Sequence, residues 1–295
     1  MNDYLIKIGN QKYIADNRQP LINFLPDQEV MKGCLKGVCR VCKCKLILGS
    51  VLENGKEVSI QSDFLPCISR VNANSEIKPS INHFLTARVE KISLLSKNIL
   101  EVRLEVKNIF YNAKSIISLK HPETGSLRNY SIVTLNKPSY SHLNFHVKLN
   151  PEGLFSKLFT EIRPNTYIEF TICNPTLPRY EILPKSLNVV SGGSGMGSAL
   201  SRAQEIIKKY NISEVLIYAI NRAEISDYHL FCIESLKLSV QCNVKVINIP
   251  FKKWTSPNFH IESCLDTSFL TIGVGSDNVI NRLQSLPLCE LESFG

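Results

Sequence analysis

The chain has 295 residues, 44% hydrophobic and 20% charged, with a net charge of +8, the composition of an ordinary soluble globular protein with room for two or three cores. No apolar run approaches the roughly 18 residues that a membrane span needs, and the positive charges stand singly among apolar residues, not in the runs that mark nucleic-acid binding. The excess is local: residues 81–180 hold 13 Lys and Arg against 7 Glu and no Asp, while 1–80 carry +3 and 181–295 carry −1, which suits an anionic cofactor or an acidic protein partner. Met1-Asn-Asp-Tyr-Leu-Ile-Lys7 lacks the basic segment and apolar core of an export signal, so with ten cysteines the expected location is the cytoplasm.

In chain order, Tyr4–Ile8 and Gln11–Ala15 alternate as two short strands joined by Gly9-Asn10, a hairpin signal. Pro20 to Leu25 predicts a short helix. Next comes Cys34-Leu-Lys-Gly-Val-Cys39-Arg-Val-Cys42, with a fourth cysteine in Phe64-Leu-Pro-Cys67. C-x4-C-x2-C with a remote fourth cysteine is the plant-type ligand set of a [2Fe–2S] cluster. Gly33 and Gly37 allow the loop to wrap closely and turn its N–H groups toward the sulfurs. Zinc would also use Cys39-x2-Cys42, but it usually needs a second paired element, and none exists. Disulfides are open to any cysteines, although a reducing compartment disfavours them. Cys44, in a strand over 43–48, reads as a small packed residue and not a ligand. A small mixed sheet with this loop at its edge fits a β-grasp ferredoxin domain over residues 1–80.

From Phe84 longer alternating strands follow, at 87–94, 99–106, 116–120, 129–134, 142–149 and 166–173, with one helix at 154–161. That spacing predicts an antiparallel β-barrel over 83–183. Within it, Arg128-Asn-Tyr-Ser131 offers a guanidinium for phosphate, a ring to lie on a planar cofactor and a hydroxyl for a ring nitrogen, or else an ordinary polar strand. Gly153-Leu-Phe-Ser156 opens the helix and is either a pyrophosphate site or a plain cap.

Leu183 to Ser186 reads as a linker, and strand and helix then alternate through 186–295, predicting a doubly wound parallel sheet. Ser191-Gly-Gly-Ser-Gly-Met-Gly197 follows a buried strand and opens a helix over 195–210, the placement of a dinucleotide loop, although Ser198 stands where a third glycine would. Further elements are a strand at 215–220, a helix near 228–238, strands at 244–249 and 269–272, and a helix at 277–286. The other cysteines, 173, 232, 242, 264 and 289, have no ligand spacing and read as buried thiols. His121, His142 and His146 read as strand or loop residues, not metal ligands.

The three motifs in this order resemble the iron–sulfur flavoprotein reductases of the ferredoxin–NADP reductase superfamily, above all the reductase components of bacterial multicomponent oxygenases. The deoxysugar glucoseen reductases share the layout. The resemblance implies a multidomain α+β chain with cofactors [2Fe–2S], FAD and NADH or NADPH, and an electron-acceptor protein, an oxygenase component, as partner. It assigns Cys34, Cys39, Cys42 and Cys67 to the cluster and Arg128 to the FAD pyrophosphate. Tyr130 would stack on the isoalloxazine and Ser131 lie near flavin N5. Gly153 and Ser156 would complete the pyrophosphate site, Gly193, Ser194 and Gly195 would receive the nicotinamide dinucleotide, and Phe294 would lie near the flavin. Three departures stand out: Ala113-Lys114 for Gly-Gln, Ser198 for Pro, and Ile272-Gly273-Val274 for Cys-Gly-Pro. They leave open a ferredoxin-like carrier whose nucleotide domain has decayed. Glu224 and Asp227 favour NADH, whereas Arg222 would favour the 2′-phosphate of NADPH.

Overall fold

A computed structural model describes residues 3–37, 39–80, 83–135, 141–175, 185–222, 226–286 and 289–293. The chain forms two compact units. The first comprises 1–86, 116–129 and 168–173, and the second 87–115, 130–167 and 174–295, so the segment expected as a barrel contributes to both.

The first unit contains β1 (Asp3–Ile8), β2 (Gln11–Asp16), β3 (Cys44–Leu48), β4 (Val51–Glu53), β5 (Lys56–Glu57), β6 (Asp63–Phe64), β7 (Ser69–Val71) and β8 (Ser75–Pro79). They build a mixed sheet of order β2-β1-β8-β3-β6, in which β1 and β8 run parallel, and a small sheet of order β5-β4-β7. Ile6 and Ile8 alternate with the more exposed Leu5 and Lys7, which directs one face of β1 onto Ala15, Leu46, Phe64 and Ile77. The helix expected near residue 20 is a single 3-10 turn, Leu21–Phe24. Its Leu21 and Ile22 enter the same core.

Six antiparallel-type strands and a helix follow: β9 (Leu85–Ser96), β10 (Ile99–Glu105), β11 (Ile116–Lys120), β12 (Leu127–Ser131), β13 (His142–Lys148), α1 (Leu154–Glu161) and β14 (Tyr167–Cys173). In the first unit β11 pairs antiparallel with β14. In the second, β10 lies between β9 and β13, antiparallel to both.

The rest of the second unit is β15 (Ser186–Gly192), α2 (Gly195–Tyr210), β16 (Glu214–Asn221), α3 (Asp227–Lys237), β17 (Asn243–Pro250), α4 (Phe251–Trp254), β18 (Leu270–Gly275), α5 (Asp277–Ile280) and β19 (Cys289–Ser293). All five strands are parallel, in the order β17-β16-β15-β18-β19. The sheet divides two cores by alternation: Val189, Ile217 and Ile272 pack toward Leu200, Ala203 and Tyr228, whereas Val190, Tyr218 and Ile220 pack toward Trp254 and Leu283. Strand order reverses between β15 and β18, so their C-terminal ends flank the crevice where such sheets bind ligands. The helix expected at 277–286 shortens to α5, followed by turns. β19 was not foreseen, because five residues alternating with two glutamates give no strong strand signal. Among the described residues no helix is long and apolar enough to cross a membrane.

Trp254 is fully buried against Phe259, with its ring nitrogen donating to Asn278 O at 3.3 Å. Trp254→Ala is expected to cost about 3–5 kcal/mol in urea unfolding; a loss below about 1 kcal/mol would contradict this packing.

Candidate functional site

In the first unit the cysteine loop bends around its own sulfurs. Cys34 Sγ accepts from Lys36 N at 3.4 Å and Cys39 N at 3.3 Å, and Cys39 Sγ accepts from Cys34 N at 3.3 Å. The sulfurs of Cys42 and Cys67 lie 3.4 Å apart. The four cysteines thus form two pairs, 34/39 and 42/67. The contact with Cys34, followed by burial, pushes the Cys39 thiol up. Within the other pair, contact pushes Cys67 up and draws Cys42 down. A Cβ on Gly33 would stand 2.6 Å from Cys39 Sγ, and Gly37 sits at φ +76° against Ile68, so both glycines do what the spacing implied. Leu35 and Arg40 hold φ near +57° and +58° although neither is glycine; the loop's closure imposes a conformation that costs such residues roughly 1–2 kcal/mol each. Val41 and Cys39 pack on Ile116, with Cys34 and Leu127 beside them. Cys44 is fully buried, its thiol pushed up to about 12 by burial, in keeping with a packing role. Among the described residues no group of three or more His, Cys, Asp or Glu could hold a single metal ion.

Arg128, exposed on β12, belongs to the first unit, and Tyr130 and Ser131 to the second. Tyr130 is half-buried, its ring 4.9 Å from Phe145 and edge-on to Phe155 and Phe159. Ser131 is buried and donates its hydroxyl hydrogen to Glu292 of β19. The other oxygen of Glu292 meets the Arg202 guanidinium from α2, and both side chains are only 4% exposed. Nearby, Thr134 N donates to Ser201 Oγ at 2.9 Å. Ser156 lies further along, buried, accepting from Asn150 N at 2.9 Å, with Gly153 N donating to Asn150 O at 2.8 Å. This hydroxyl closes the turn before α1. Phe294 lies outside the described residues, as does Glu224.

The glycine-rich loop is exposed at Gly193, where φ is +59°, half-buried at Ser194 and buried from Gly195 onward. It is braced from behind by α3. His229 Nε2–H donates to Gly193 O at 3.0 Å, a tautomer assigned by the carbonyl it faces, and burial pushes this imidazole's pKa down. Tyr228 OH accepts from Gly197 N at 3.1 Å, donates to Ser194 O at 3.0 Å and lies 2.7 Å from His146 Nδ1. A neutral His146 with its proton on Nδ1 satisfies the phenol completely. None of these side chains carried a local sequence signal, because each is defined by an element distant in the chain. Ser198 is 2% exposed and its hydroxyl has no partner among the described residues.

Two sequence readings change. Ile272 is fully buried in mid-strand opposite Val189; β18 runs on to Gly275, and Val274 stands opposite Ser191 at the crevice. Of the five cysteines outside the loop region that were expected to be buried, Cys232 is buried, Cys173, Cys242 and Cys289 are half-buried, and Cys264 is exposed. Asn221, at the end of β16, accepts from Ser226 N and donates to Asn248, while Arg222 and Asp227 are exposed.

Residues 86–174 match the oxidoreductase FAD-binding domain. The chain is 24% identical over 200 residues to the ferredoxin–NAD(P)(+) reductase component of the naphthalene 1,2-dioxygenase system of Pseudomonas putida, covering 63% of this chain and 60% of that protein. It is 25% identical over 221 residues to the xylene/toluene monooxygenase electron transfer component XylA of Pseudomonas putida, covering 70% and 63%. The chain thus spans less than two thirds of these relatives' length. In fold it is similar to the ferredoxin reductase in carbazole 1,9a-dioxygenase, with TM-score 0.59 and 16% identity over 100% and 99% of the two chains. The phthalate dioxygenase reductase gives TM-score 0.54 and 17% identity over 72% and 68%.

Burial holds His146 neutral and its pKa down to about 3. The unfolded chain therefore takes up a proton near pH 6.5 that the folded one refuses, so this residue's contribution falls as pH drops from about 6.5 toward 3. Urea unfolding is expected to find His146→Gln destabilised at pH 7.5, with the deficit shrinking at pH 5; a constant deficit would refute a neutral buried His146. Gly197→Ala would place its Cβ 2.4 Å from His146 Nδ1 and 2.9 Å from Tyr228 OH. A loss of about 2 kcal/mol or more in the same measurement is expected. Residues 86–174 thus match the oxidoreductase FAD-binding domain, in a chain similar in fold to the ferredoxin reductase in carbazole 1,9a-dioxygenase.

Proposed function

We propose that this chain is an electron-transfer reductase that takes electrons from NADH, passes them through FAD to a [2Fe–2S] cluster in the cysteine loop, and delivers them singly to a partner oxygenase component. The observation that carries the reading is one polypeptide holding a C-x4-C-x2-C loop with a remote fourth cysteine together with an oxidoreductase FAD-binding domain. Bound FAD accepts a hydride as an electron pair and releases electrons one at a time, which is what a one-electron cluster requires.

The cysteine loop suits a cluster in its donor set. Two pairs of thiols, 34/39 and 42/67, match a centre in which each of two irons takes two thiolates. Backbone N–H groups of Cys34, Lys36 and Cys39 already point at sulfur, which offsets the charge that thiolates would carry.

On the flavin side, Arg128 is exposed on β12 and carries the guanidinium that would pair with a diphosphate. Tyr130 offers a ring held in orientation by Phe145, Phe155 and Phe159. Ser131 offers an oxygen whose hydrogen is engaged by Glu292. For the nucleotide, Gly193 and Ser194 stand at the C-terminal end of β15, beside the point where strand order reverses. The bracing by Tyr228 and His229 fixes that loop's backbone in advance of binding.

Anaerobically purified protein is expected to show flavin and iron–sulfur absorption that bleaches with one equivalent of NADH. Cys39→Ser should lose the iron and its visible bands while keeping FAD. A protein that carries FAD and cluster but bleaches with neither NADH nor NADPH would be a carrier with a decayed nucleotide domain. A colourless protein that cannot be reconstituted would overturn the reading.

A further inference from the structure

The three-residue chain Arg202–Glu292–Ser131 is unusual in being almost wholly out of solvent. Arg202 is 3% exposed, Glu292 5% and Ser131 8%. Glu292 uses one oxygen for the Ser131 hydroxyl and the other for Arg202. Arg202 Nε also donates to Ala113 O at 3.4 Å. The other charged groups around this strand end are already engaged: Glu205 of α2 accepts from Ala113 N at 2.8 Å, and Lys114 pairs with Glu290 at 2.7 Å. Arg202 is therefore the cation that faces the Glu292 carboxylate among the described residues.

A carboxylate this deep stays ionised only while a cation faces it; without one it takes up a proton. Its ionisation decides the direction of the next hydrogen bond. An ionised carboxylate can only accept, so the single hydrogen of the Ser131 hydroxyl is committed to it and the serine presents lone pairs alone to any other neighbour. A protonated carboxyl can donate to Ser131, which frees the serine hydrogen to point elsewhere.

We propose that Arg202 is a positioning residue for the flavin: by keeping Glu292 ionised it makes Ser131 an obligate hydrogen-bond acceptor, so that the serine favours a flavin ring carrying hydrogen on N5 over one that does not. The proposal rests on the FAD reading above, in which Ser131 lies near N5. Its origin on α2 is significant for the chain's design. The helix that begins at the nucleotide loop also sets the polarity of the serine assigned to the flavin. No proton needs to move for this, since Arg202 acts only through charge and geometry.

The test has two parts. In FAD-free protein, urea unfolding is followed at pH 5 and pH 8 for wild type, Arg202→Met, Arg202→Lys and Arg202→Met/Glu292→Gln. With Arg202 removed, the folded state holds a proton on Glu292 that the unfolded chain releases above its ordinary range near 4.3, so stability is present at low pH and lost as pH rises. The deficit of Arg202→Met is expected to grow by up to about tenfold in the folding equilibrium per pH unit. Arg202→Lys should not show that growth, and adding Glu292→Gln should abolish it. A deficit independent of pH would overturn the claim that Arg202 sets the charge of Glu292.

In FAD-loaded protein, the flavin midpoint potential is read by spectroelectrochemistry. Glu292→Gln and Arg202→Met are expected to shift it to more negative values by about 30 mV, equivalent to a tenfold change for a two-electron couple. If FAD binds and the potentials match wild type, the positioning role is refuted even when the unfolding data agree. If wild type cannot bind FAD at all, the flavin reading fails and the positioning role falls with it, while the unfolding result separately decides the charge control. Should Arg202→Met not fold, Arg202→Lys and Glu292→Gln carry both comparisons.

Discussion

A buried ion pair between Arg202 and Glu292 ties three elements of the second unit together. It joins α2, which begins at the glycine-rich loop, to β19 at the edge of the parallel sheet, and through Ser131 it reaches β12. Replacing such a pair by apolar side chains often costs nothing, so its presence is weak evidence of a stability role. What it supplies is direction. Each oxygen of Glu292 has one partner, and the flanking contacts Ala113–Glu205, Lys114–Glu290 and Thr134–Ser201 repeat the same connection in a satisfied form.

The glycine-rich loop is governed by a second constraint. Its carbonyls at Gly193 and Ser194 and the amide of Gly197 are engaged by the side chains of two successive residues, Tyr228 and His229. These cover the rear of the loop and leave Gly193 exposed at the crevice. His146, neutral because it is buried, completes the hydrogen bonding of Tyr228. A loop with fixed backbone loses less entropy when it receives a ligand.

In the first unit the sulfurs organise the loop. Their closeness demands a tight backbone, glycine where it touches sulfur or turns left, and a left-handed φ even at Leu35 and Arg40. Strain at these two residues is held by the hydrogen bonds to Cys34 and Cys39 and by packing of Val41 on Ile116.

Local chemistry is what the sequence carried by itself. Period-two alternation marked β1, β2, β10 and β13, and the glycine-containing stretches that open α1 and α2 placed those helices at their observed limits. Cysteine spacing singled out the four sulfurs that the fold gathers as two pairs, and strand–glycine–helix order put the glycine-rich loop where strand order reverses. These features lie within a few residues of chain, where spacing alone fixes geometry. What only the tertiary structure decided are contacts spanning long stretches of sequence: Ser131 with Glu292, Gly197 with Tyr228 and His146, and the true end of β18 at Gly275 instead of Ile272. Glutamate, arginine, tyrosine and histidine are common residues with no spacing rule. Their roles arise because burial removes water and leaves each polar group the one partner the fold brings to it.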